Sequence, residues 1–179
     1  MNTAIVLLAA ALLAAPPLSD AQIRDEVTAL LGTIDRPVSG ERWKALGPAA
    51  VPVLAEIAAS EGEMPTTRSM ALAALGSASA PEGERVSRAL LDSPDAPVTV
   101  RQTAVRTLGK VLSPVRLQAA LSPVLRAERE PDLRSAAAET LARHAPEEAC
   151  AEVVDQISLE PAADHPRFER AAALCAGKR

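Results

Sequence analysis

Aromatic side chains are almost missing from this sequence, which has one Trp, one Phe and no Tyr in 179 residues. Base stacking therefore has nothing to work on, and a net charge of −4 gives no bulk attraction for a polyanion, so no nucleic-acid partner is expected. Histidine is as scarce. The two residues, His144 and His165, stand with the two cysteines in no spacing typical of metal ligands, and no metal site is expected. Glycine-rich phosphate loops and nucleophile elbows are also lacking, so the sequence offers no catalytic residue and no cofactor site. Only one long apolar run occurs, at residues 4–15. As a helix it would span about 18 Å, short of the roughly 30 Å of a bilayer core.

That run has the length of a signal-peptide core, although no Lys or Arg precedes it. Ser19 and Ala21 supply the small residues expected before a cleavage point. Residues 1–21 are accordingly expected to be a signal peptide and residues 22–179 the mature domain, exported to the periplasm or secreted, with no stable membrane insertion after cleavage. The other reading of the run is a buried N-terminal helix or a weak anchor.

What the chain does have is Ala, Leu and Val in quantity, with 48% apolar residues overall, and fifteen prolines. Small apolar residues suit closely stacked helices, and frequent prolines suit many short elements. The arrangement is periodic. Arg68, Arg101, Arg134 and Arg167 stand 33 residues apart. Leu75, Leu108, Leu141 and Leu174 follow each Arg by seven residues, and Gly76, Gly109, Ala142 and Cys175 come directly after the Leu. Ala71, Ala104 and Ala137 take the third place after the Arg, and Arg170 breaks the pattern in the last copy. Such a stripe reads as one amphipathic helix per copy, opened by Pro65, Pro97, Pro131 and Pro166. Between the copies a second helical pattern recurs, in which Leu91, Val124 and Ile157 keep the same period. The unit is therefore expected to be an antiparallel helix pair, the Arg-bearing helix first, which buries its apolar faces only by stacking on further pairs. Residues 22–62 read as a divergent N-terminal cap and residues 63–179 as regular repeats.

The run Leu46-Gly47-Pro48-Ala49-Ala50-Val51-Pro52-Val53-Leu54 resembles the link between paired helices in HEAT-like repeats of the phycobilisome-lyase type. Val100-Arg101 through Ala104-Val105 to Leu108-Gly109 resembles their Arg-bearing helix, as does Leu133-Arg134 through to Leu141. The likeness covers roughly residues 41–176. It implies an all-α fold, a right-handed α-solenoid of stacked antiparallel helix pairs with a period of about 33. It implies little about function, because members of that group include scaffolds, lyases and inhibitors.

Seven residues at about 100° each return to within about 20° of the start, so every repeat Arg lies under its Leu on the core stripe. A guanidinium there needs an acceptor, and Glu63, Asp95, Asp132 and Asp164 lie just upstream. The ladder is read as a structural brace between repeats, the role the resemblance implies, with a ligand-binding stripe as the other reading. Cys150 and Cys175 lie at matching heights if their helices form a hairpin about residues 161–162. In an oxidising compartment they are expected to bridge. Two packed thiols are the alternative. The functional expectation is a non-catalytic binding or scaffold module for a protein or peptide, pairing with itself, if at all, through its C-terminal end face. An enzyme resembling the HEAT-like phycobilin lyases is the alternative.

Overall fold

The structure, a computed structural model, describes residues 18–33 and 38–177. The apolar run at residues 4–15, and with it most of the expected signal peptide, lies outside them. Among the described residues there are ten α-helices and no strands. They are α1 (Asp20–Leu31), α2 (Gly40–Ala45), α3 (Ala50–Ala59), α4 (Pro65–Ala78) and α5 (Ala80–Leu91). There follow α6 (Val98–Val111), α7 (Pro114–Ala127), α8 (Pro131–His144), α9 (Pro146–Leu159) and α10 (His165–Ala176).

Helix boundaries follow local chemistry. Prolines occupy the first turns of α4, α5, α7, α8, α9 and α10, where their missing N–H leaves no intrahelical bond unmade. Ser19 starts α1 with a capping box, accepting from the Gln22 backbone N–H while the Gln22 side chain accepts from the Ser19 N–H at 2.9 Å. The residues Ser19, Asp20 and Ala21, expected as a cleavage site, thus form the start of this helix. Gly47, at φ 75°, makes the turn from α2 to α3, a conformation that glycine adopts without steric cost. Pro123 lies inside α7 but on its exposed side.

The helices form two rows. The Arg-bearing helices α4, α6, α8 and α10 lie side by side, each packed closely on the next, with α2 against α4. The intervening helices α3, α5, α7 and α9 meet one another less, and α5 and α7 stand apart but for the surface pair Arg116 to Glu84 at 2.6 Å. The packing is that of a helical repeat. Its core is aliphatic, with Leu54, Leu72, Leu75, Leu108, Leu133 and Leu141 fully buried. Trp43 and Phe168, the two aromatic residues, anchor the N-terminal and C-terminal regions from buried positions.

One expectation about the unit changes. Each Arg-bearing helix packs more extensively on the helix before it than on the helix after it, α6 on α5 far more than on α7. The connections explain this. Links of one or two residues follow α4, α6 and α8, at or below the short end of what joins antiparallel helices. Loops of three to six residues follow α3, α5, α7 and α9, and these allow antiparallel packing. The pairs are therefore α3/α4, α5/α6 and α7/α8; α9 packs to the same extent on α8 and α10, and its disulfide to α10 makes α9/α10 the fourth.

Candidate functional site

Each repeat Arg sits in the first turn of its helix or just inside it, and its bonds run to neighbouring elements. Arg68, buried in α4, donates Nε–H to the Ala58 carbonyl at the end of α3, 3.1 Å away. Arg101 does the same to the Leu91 carbonyl of α5 at 3.2 Å and reaches Glu128, after α7, at 2.5 Å. Arg134 donates to the carbonyls of Glu128 and Arg129 at 2.9 and 3.0 Å and makes a two-pronged pair with Glu160, one arm at 2.8 Å. Arg167, half exposed, pairs with Asp132 of α8 and with Asp164 at 3.1 Å.

The upstream carboxylates therefore serve only at Arg167. For Arg101 and Arg134 the acceptors are Glu128 and Glu160, 27 and 26 residues downstream, at the C-terminal ends of the next intervening helices. Glu63 and Asp95 do not pair with Arg68 and Arg101. The stack explains the difference: beyond the bonds that the preceding loop gives Arg134 and Arg167, the next pair brings a carboxylate from its own loop to Arg101 and Arg134. Three of the arms, Arg101–Glu128, Arg134–Glu160 and Arg167–Asp132, join one helix pair to its neighbour. Spread along one edge, the four arginines do not converge on a common point.

Electrostatics at these pairs are one-sided. Glu160 is held below the usual carboxylate range chiefly by hydrogen bonds from Arg134, against the opposing effect of burial. Burial pushes Glu128 upward, but the Glu130 N–H, the Arg101 guanidinium and the Arg129 N–H outweigh it and leave the carboxyl low. Arg134 is raised correspondingly, first by its bonds to Glu160.

Cys150 in α9 and Cys175 in α10 are joined by a disulfide, with Cα atoms 5.4 Å apart. The bond forms part of the wall of a surface cavity of about 470 Å³ that Pro146, Glu147, Val154 and Asp155 also line.

The outward side of the Arg-bearing row carries a second set of groups. Between α6 and α8 runs a groove of about 240 Å³ lined by Arg106, Lys110, Glu139, Thr140, Arg143 and His144. Arg143 pairs with Glu139 at 2.7 Å, and Arg170 of α10 approaches the same carboxylate at 3.6 Å. The pKa of His144, at the C-terminal end of α8, falls below the ordinary value, first through burial and then through the charges of Arg143 and Lys110. Sequence reasoning passed over this groove. The signal was present in the register: the fifth and ninth places after the repeat Arg are Ala73 and Ser77, then Arg106 and Lys110, then Glu139 and Arg143, then Ala172 and Ala176. Charge enters only in the two central copies.

No protein family, curated protein or solved structure matches the sequence.

Proposed function

We propose that the chain is a non-catalytic binding or scaffold module, a HEAT-like right-handed α-solenoid with a unit of about 33 residues, acting on a protein or peptide partner in an exported compartment. The observation that carries this reading is the exposed outer side of the Arg-bearing row. The same register that buries Leu75, Leu108 and Leu141 and keeps a small residue after each repeat Leu leaves its fifth and ninth places free to vary. A row of parallel helices whose buried positions repeat and whose outer positions differ is how helical-repeat proteins display a continuous binding surface. Closer packing in the Arg-bearing row than in the other row makes it the inner side of the stack.

Affinity capture from the native exported fraction, with the chain beginning at Gln22 as bait, tests the reading. A stoichiometric protein partner is the expected result. Turnover of a linear tetrapyrrole, or an absorbance shift on mixing with one, would favour the lyase alternative. Export is tested by intact mass: protein from the native host begins at or near Gln22, and a mature chain retaining Met1 overturns that part. Self-association through the C-terminal end face is read by sedimentation equilibrium.

A further inference from the structure

The groove between α6 and α8 concentrates positive charge on a chain whose net charge is −4. Arg106, Lys110, Arg143 and Arg170 face a single carboxylate, Glu139, which Arg143 and Arg170 already share. Arg106 and Lys110 have no ion-pair partner among the described residues. Helix dipoles favour cations in last turns and account for Lys110, Arg143 and His144 there. They do not account for Arg106 in mid-helix, nor for the opening of both helices' cations onto one groove. Repeat stacking does not require them either, since Ala73, Ser77, Ala172 and Ala176 hold the same places in the outer copies. Glu169, at the register of Ala136, is the next carboxylate along the face, toward the opposite helix end.

We propose that this groove is the docking site for an acidic segment of a partner protein, whose carboxylates are taken by Arg106, Lys110 and Arg143. The proposal rests on the binding-module reading and names its ligand chemistry. A peptide fits better than a nucleic acid, because no aromatic side chain lines the groove to stack a base. The buried Thr140 and Ala136 form a small-residue floor that leaves room for an extended backbone. Electrostatic docking of this kind sets register and association rate through complementary charge.

The test uses the full chain and a fluorescein-labelled peptide of Glu and Ala in equal parts, with a Lys–Ala peptide and oligo-dT as comparisons. The Glu–Ala peptide binds saturably, more weakly as salt rises. The double reversal Arg106→Glu with Lys110→Glu weakens it by about tenfold or more. Reversing Lys44→Glu with Arg129→Glu, both exposed and outside the groove, changes the net charge equally and leaves affinity within about twofold. His144 provides a second readout by NMR: carboxylates in the groove raise its pKa. Equal affinity of the groove variant and the wild type, tighter binding of oligo-dT, or no binding of the acidic peptide overturns the proposal. The two readings fail separately. A partner captured equally by the groove variant and the wild type discards the groove and keeps the module, whereas no partner captured by either discards the module.

Discussion

At the scale of single residues, the informative contrast lies between Arg134 and Arg167, which occupy the same register but different surroundings. The Arg134–Glu160 pair is nearly enclosed, with side-chain exposures of 13% and 2%, and Arg167–Asp132 is open at 47% and 52%. Removing one partner of an enclosed pair leaves the other charge desolvated, whereas an open pair returns its charges to water. Arg134→Ala is therefore expected to cost about 3 kcal/mol, and Arg167→Ala less than about 1 kcal/mol. Urea denaturation measures both, and equal losses would show that burial is not what distinguishes them. The pair also sets a pH dependence. Because the folded-state pKa of Glu160 is depressed, its contribution is complete above the unfolded value of about 4.3 and is lost as pH falls through the folded value. The stability gap between wild type and Glu160→Gln should be full at about pH 6 and narrow below about pH 4. A gap that stays constant down to about pH 3 would remove Glu160 from the acid-sensitive groups.

Between helices, spacing in the first two copies is set by the Cβ that the residue after the repeat Leu lacks. A Cβ on Gly76 would lie 2.6 Å from Cγ2 of Thr107, and one on Gly83 would lie 2.6 Å from the Cα of Gly76 itself. Thus α4, α5 and α6 meet at one point of near backbone contact. Alanine favours a helix interior over glycine by about 1 kcal/mol, yet both substitutions should destabilise, because the obstruction outweighs that gain. Gly83→Ala meets backbone and has no side-chain remedy. Gly76→Ala meets a methyl group, so adding Thr107→Ser should recover about 1 kcal/mol of its loss, a coupling read from a double-mutant cycle of melting curves. Additive effects would mean that the contact does not limit the approach. These glycines show how far the sequence was legible. The 33-residue register gave the Arg-bearing helices, their proline starts and their buried Leu, because burial repeats with the helix. Which helices pair was not legible, since that depends on whether a link is one residue, as at Ser79, or six, as after α5. Nor were the acceptors Glu128 and Glu160, which lie beyond a whole intervening helix. The cationic groove was in plain register, but exposed charge alone does not separate a binding surface from a solvated face.

For the whole molecule, the governing fact is that stacked pairs contact only their neighbours, so stability at one end is held locally. The final pair α9/α10 has a neighbour on one side alone, and its buried residues are few: Ala149 and Val153 from α9, with Phe168, Ala171 and Cys175 from α10. The Cys150–Cys175 bond compensates there, closing a loop over a sequence separation of 25 residues. On the loop-entropy account such a closure stabilises by about 3.5 kcal/mol at 25 °C, because the unfolded chain loses that freedom. Its benefit should be confined to the end it ties. Reduction, or the double substitution Cys150→Ala with Cys175→Ala, is expected to raise amide exchange first in α9 and α10 while α4 and α6 keep their protection. Unfolding should then begin at the C-terminal end, where the packing of α10 on α8 and the Arg134–Glu160, Arg167–Asp132 and Arg170–Glu139 arms remain as ties between that pair and α8. Adding Arg134→Ala to the reduced protein should free α9 and α10 at lower urea than either change alone, leaving a distinct earlier transition for this pair. A single transition over all ten helices, shifted as a whole by reduction, would show that the molecule unfolds as one unit and that the bridge stabilises the entire stack.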